Sequence, residues 1–207
     1  MCGAPGGFNV KRQVKVLSLS EIESLRALAL QNSAELLAEA ELLFQHMKFA
    51  RTYTLAHLSS EELAKLPILA AYGARLVNGK TVNWKELDKK LRSHTTKLKG
   101  LLFVDLLGTS IDPKSKSIQV HQESMSRIEL FNTLKNASLY AGVFQGELHK
   151  PNGIFTERLA IEALTTSRNR FELFSEVEQL THGKLAELGK RESYMTLLQA
   201  LGVGDDA

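Results

Sequence analysis

Between Phe44 and Lys97 the chain spells out two consecutive amphipathic helices, each with an ionisable residue where its apolar stripe calls for a hydrophobic one. The first stripe runs Leu55, Leu58, Glu62, Leu66, Leu69; the second runs Leu87, Leu91, His94, Leu98, Leu101. Steps of three and four place such residues on one face of a helix. A carboxylate or imidazole on that face has to be paired or neutral, because burying an isolated charge is costly. If the two helices form an antiparallel hairpin, Glu62, Lys65, His94 and Lys97 converge on one polar pocket. That hairpin is the centre of the expected fold.

The rest of the chain repeats the helical period. Residues 1–17, with Gly3, Pro5, Gly6 and Gly7, read as a flexible lead-in. Ser20 and Glu23 fit a capping box opening a first helix, whose stripe is Leu25, Leu28, Ala29, Asn32, Leu36, Ala40 and Leu43 and whose end falls near Gln45. The second helix spans about Lys48 to Leu76, kinked or divided at Pro67, which lacks a backbone donor, and stops before Asn78-Gly79. The third starts at Asn83 with Glu86 three residues on and forms a basic helix over 83–107. A polar loop follows from Asp105 to Val120, with Gly108, Pro113 and a KSKS stretch. The pattern then predicts a fourth helix over Gln122–Glu147, a turn at Lys150-Pro151-Asn152-Gly153, and shorter helices over Thr156–Ser167, Arg170–Gly189 and Glu192–Leu201. Residues 203–207 form a frayed tail. No alternating strand and no internal repeat stand out. The expectation is one all-α domain over 18–202, a compact bundle of about six helices.

Composition narrows the class. Hydrophobic residues make up 43% and charged residues 24% of 207 residues, the proportions of an ordinary globular chain. Aromatics are only 7%, while Leu, Ala, Glu and Lys abound, which favours helices over sheets. The net charge of +3 is small. It is locally concentrated: Lys80, Lys85, Lys89, Lys90, Arg92, Lys97 and Lys99 face only Glu86 and Asp88, a helix for solvent, RNA or a protein partner. A single cysteine, Cys2, excludes an intrachain disulfide and a Cys-based metal cluster. With no signal-peptide core and no run long enough to span a bilayer, the expected setting is the cytoplasm, with no membrane partner.

For chemistry, Glu62 and His94 are the candidate catalytic residues. Glu61, Lys65, Arg92 and Lys97 surround them as candidate binding residues. On the fourth helix Lys135, Asn136 and Tyr140 add a further binding group, with Asn136 and Tyr140 one turn apart. No metal site and no cofactor are expected, since no ligand pair has a recognised metal spacing and no phosphate-binding glycine loop is present. No Gly-x-Ser-x-Gly turn supports a nucleophilic serine.

Taken in order, LLAEAELLF, FARTYTLAHLSSEELAK, LRSHTTKL and LKNASLYAGVFQGELHKP resemble the AbiV family of bacterial abortive-infection proteins, over about Asn32 to Pro151. The resemblance implies a role in antiphage defence, in which an infected cell stops growing before progeny emerge. It implies kinship with the HEPN superfamily, helical bundles that often dimerise, so a homodimer and a phage or host protein trigger are the expected partners. Many HEPN proteins cut RNA with an Arg and a His separated by four to six residues. This chain departs from that pattern: Arg92 and His94 are one residue apart, and Arg51 and His57, though suitably spaced, lie on different helix faces. Two functions follow. One is a binding protein that arrests growth by docking on a phage or host component. The other is a metal-independent ribonuclease using His94 and Glu62.

Overall fold

The computed structural model describes residues 14–108, 125–126 and 128–200. Most of the lead-in over 1–17, the 109–120 part of the loop including KSKS, the start of the fourth helix and the tail over 203–207 lie outside the described residues. The fold is all-α, as the periodicity predicts. Its long elements are α1 (Leu19–Gln45), α2 (Phe49–Leu63), α3 (Lys65–Val77), α4 (Trp84–Arg92), α5 (His94–Gly108), α6 (Ile128–Leu139) and α8 (Glu157–Thr181). A hairpin of β1 (Gly142–Phe144) and β2 (Glu147–His149) and the single turn α7 (Pro151–Ile154) separate α6 from α8. The short α9 (Leu185–Leu188) and α10 (Glu192–Ala200) follow.

Several boundaries move, each for a local reason. The capping box of α1 is Ser18 with Glu21, not Ser20 with Glu23: both reciprocal bonds are present, and Ser18 is extended as a cap should be. The second helix does divide, at Ala64, three residues before Pro67. This puts Pro67 in the first turn of α3, where an amide hydrogen has no intrahelical acceptor and its loss costs nothing. The third helix also divides. Ser93 leaves helical geometry at ψ 110° and its Oγ accepts from the amide of Thr96 at 3.2 Å, ending α4 and capping α5 in one residue. Asn83 caps α4 as expected. Asp105 is helical, within α5. The fourth helix stops at Leu139 and yields to the β-hairpin, where Gln145 and Gly146 both take positive φ (52° and 86°), the two-residue turn that fits strand twist. Thr156 caps α8, which then runs unbroken through Ser167 where a gap was expected.

α1 and α2 form the central pair, joined by a three-residue turn, with α8 laid across both. Close approach is possible because the shared face carries small side chains. Ala29, Ser33 and Ala40 of α1 and Ala56 and Ser59 of α2 are all buried; Ala40 clusters with Ala56, and the Ser33 and Ser59 hydroxyls are 2.9 Å apart. α2 is therefore enclosed on several sides, touching α1, α8, α6 and α5. The predicted α1 stripe is turned by about one position: Leu28 is 59% exposed, while Arg26 is buried and bonded to Glu178 of α8 at 2.5 Å.

The ends of α1 and α3 use the same Schellman geometry with different residues. After α3, Gly79 takes φ 64° and Lys80 N–H bonds Arg75 O at 2.9 Å; after α1, Met47 takes φ 57° and Lys48 N–H bonds Leu43 O at 2.9 Å. A side chain in the left-handed region is strained, and Met47 is exposed, so little packing offsets the strain. Met47→Gly is expected to stabilise the protein by about 1 kcal/mol, read as a higher melting temperature.

Candidate functional site

The residue at the centre is Glu61, one position from the one the apolar stripe singles out. It is 2% exposed, on the side of α2 that meets α5 and α6. Four basic side chains converge on its carboxylate. Nδ1 of His94 lies 2.7 Å from Oε1 and 2.6 Å from Oε2, and Lys97 Nζ donates to Oε2 at 2.7 Å. Lys135 Nζ is 3.7 Å from Oε1. His57, one turn before Glu61, brings Nε2 to 3.2 Å from Oε1, in ion-pair range but off the line of a well-formed hydrogen bond.

Each arm of this cluster has a local cause. Ser93 starts α5 afresh, so His94 sits in its first turn with Lys97 three residues on, side by side on one face. The Thr54 and Ser138 hydroxyls, 2.6 Å apart and buried, hold α6 against α2 and so deliver Lys135. Burial of Glu61 by itself raises its pKa; the contacts with His57 and Lys97 outweigh that and hold the carboxyl well below the usual carboxylate range. It is therefore an anion that only accepts, which requires the proton of His94 to sit on Nδ1. For Lys135 the balance runs the other way: burial first, then the neighbouring Lys97 charge, lowers its pKa against the pull of Glu61.

Of the residues predicted from sequence, the structure thus brings together Glu61, His94, Lys97 and Lys135. It does not bring Glu62 into the cluster. Glu62 lies on the more open side of α2 and bonds Lys65 at 2.5 Å, a pair within one helix. Arg92 is exposed and bonds Asp88 at 2.6 Å, one turn back on α4. Asn136 and Tyr140 are exposed at and beyond the end of α6, Tyr140 by 66%. His94 itself has a side chain 45% exposed, because it opens a new helix and is not enclosed in a continuous seam.

Beside the cluster is a cleft of about 360 Å³ between α2, α5, α6 and α8. Its lining includes Tyr53, His57 and Ser60 of α2, Leu98 and Leu102 of α5, and Phe131 of α6. On the far wall Arg170 grips Asp105 with two bonds, 3.0 and 2.6 Å. Burial raises the Tyr53 phenol to about 12, so it stays protonated. His57, Asp105 and Arg170 were not among the predicted site residues. The spacing of His57 four before Glu61 was the only sequence signal, since Arg170 lies 65 residues from its partner.

The arrangement defines an all-α bundle with a buried charge cluster beside a polar cleft. The chain belongs to the AbiV family: the family model HEPN_AbiV, described as AbiV, matches residues 21–172, from the first turn of α1 to the middle of α8. It is thus an abortive-infection protein of the HEPN type. No curated protein and no solved structure matches the chain. Among the described residues no helix is long and apolar enough to cross a membrane.

Removing Glu61 leaves buried cations without their counter-charge. Glu61→Gln is expected to cost about 3–5 kcal/mol, against at most about 1 kcal/mol for Glu62→Gln, measured by denaturant unfolding. The pH dependence follows from the same shift. The folded carboxyl has a pKa below its unfolded value of 4.5, so its contribution is complete above that pH and is lost as pH falls further. Wild type should lose stability below that point more steeply than Glu61→Gln.

Proposed function

We propose that the protein arrests growth of phage-infected cells by binding a phage or host component, acting in the cytoplasm as a homodimer with residues 18–202 as one working unit. The observation that carries this reading is how Glu61 is engaged. Its oxygens are taken up by His94 and Lys97, and its pKa is held far from neutrality, so it is poorly placed to accept or give a proton during turnover. The cluster then acts as a lock. It fixes α5 and α6 against α2 and so shapes the neighbouring cleft, which offers a partner apolar surface with a few convergent polar groups.

A second reading is supported by a separate observation. His57 and His94 both approach Oε1 of the same carboxylate, so two imidazoles are neighbours, with two lysines beside them. These are the residue types for cleavage of RNA through its 2′-hydroxyl: a base, an acid and positive charge for the phosphate. No arginine completes the set among the predicted residues. Arg92 is engaged with Asp88 on the surface, and Arg51 is exposed on α2 while His57 lines the cleft.

One comparison separates the two. Purified wild type should leave RNA intact, and folded His94→Ala should still protect cells from phage. Thr166→Arg, which fills the cleft from an exposed position, should abolish protection without lowering the melting temperature. RNA cleavage by wild type that disappears in a folded His94→Ala protein would sink the binding reading and establish the nuclease.

A further inference from the structure

The β-hairpin shows a feature that neither the cluster nor the cleft uses. Two strands alone are marginal in water, and every antiparallel pair has two unpaired edges. Here the strands pair Gly142 with His149, Val143 with Leu148, and Phe144 with Glu147. With a two-residue turn, Phe144 and Glu147 form the hydrogen-bonded pair next to it. Val143 and Leu148 are then the pair whose backbone N–H and C=O groups face outward, one on each edge. Side chains alternate accordingly. Phe144 packs inward against the cluster around Tyr53 and Phe155, and its ring meets that of His149 edge-on at 5.9 Å. Val143 and Leu148 point away from the bundle and are 69% and 88% exposed. Leu148 is the most exposed large hydrophobic residue among those described.

We propose that the outer edge of β2 pairs antiparallel with β2 of a second copy, giving a four-stranded sheet across a two-fold axis at Leu148. This names the surface of the homodimer and rests on that part of the functional reading. Three observations specify a second copy of the chain. A two-fold at Leu148 matches the outward N–H and C=O of one Leu148 with those of the other, a closed hydrogen-bonded pair. The same axis sets Glu147 of each copy opposite His149 of its mate, so a carboxylate acceptor faces an imidazole on both sides of the axis. On the open face the side chains line up as Val143, Leu148, Leu148 and Val143, which joins two exposed apolar pairs into one covered strip. Pairing through β1 lacks this match, since its axis at Val143 would oppose Gly142 and Phe144. Pro151, two residues after β2, opens the helical turn α7 and so ends the extended segment, which keeps the contact short and lets it close as a dimer.

The test uses the full chain with Cys2→Ser to remove the native thiol. Across the proposed axis the two Leu148 Cα atoms are about 5.5 Å apart, within disulfide range. Leu148→Cys should therefore give a covalent dimer on mild oxidation, and Val143→Cys should not. In sedimentation, wild type should reach dimer mass with rising concentration. Leu148→Pro, which removes only an outward N–H, should stay monomeric with an unchanged helical spectrum. Glu147→Lys should weaken the dimer about tenfold, and adding His149→Glu should restore it. Three outcomes would overturn the proposal: a wild type that is monomeric at all concentrations, a dimer that persists in Leu148→Pro, or equal cross-linking at the two positions. A monomer whose hairpin instead captures an extended peptide of another protein also overturns it. These readouts need no phage, so failure here leaves the binding reading standing, and loss of protection in a dimeric protein would not count against the hairpin.

Discussion

A buried anion surrounded by cations organises this bundle. Glu61 is almost wholly removed from water, and its carboxylate, carried by α2, is contacted from both α5 and α6. Desolvating it is expensive, and so is desolvating Lys97 and Lys135; only their mutual attraction and short hydrogen bonds make the arrangement tolerable. Such a cluster adds little net stability compared with an apolar core. It penalises every arrangement of the helices that separates its members. The register of α5 and α6 on α2, and with it the shape of the cleft, depends on that penalty.

The same principle recurs across the core. Arg26 is buried between Glu23 and Glu178, tying α1 to α8, and its bond to Thr181 extends the tie by a turn. Ser33 and Ser59 join α1 to α2, and Thr54 and Ser138 join α2 to α6. Each of these three helix contacts thus contains a polar pair that has to be matched, among alanines and leucines that would accept many alignments. Small hydroxyl residues serve twice, letting backbones approach and supplying the hydrogen bond. The apolar clusters provide the driving force; the polar pairs choose among the ways of satisfying it.

This division explains why the apolar pattern of α2 points one residue away from the buried carboxylate. An amphipathic pattern assumes one wet and one dry face, and for α4, with only Leu87 buried, it works. α2 has neighbours on most sides, so its buried set includes Thr52, Thr54, Ser59, Ser60 and Glu61. Leu55 and Leu58 mark its less enclosed side, and Glu62 falls in line with them. An ionisable residue in line with leucines is therefore Glu62, and the pattern gives Glu61 only a flanking, binding place, although its surroundings are polar because they are its partners. His94 does meet a carboxylate, Glu61, but from the start of a helix and not from within a continuous seam, since Ser93 breaks the helix before it. The hairpin at 142–149 was hidden for another reason: three-residue strands are too short to show alternation, and Gln145-Gly146 is a weak turn signal beside Asn-Gly.

By itself the sequence determined the helical class, the cap at Asn83, the helix start near Thr156, the division near Pro67, the stop at Asn78-Gly79 and the AbiV resemblance. It also marked His94, Lys97 and Lys135 as side chains with work to do. These are local properties, set by spacing, turn chemistry and motif order within a few residues. Only the tertiary structure decided that Glu61 is the carboxylate they share, that Glu62 stays with Lys65, and that Arg170 meets Asp105 across the cleft. Whether a polar side chain can be buried depends on partners tens of residues away, and no periodicity within one helix carries that information.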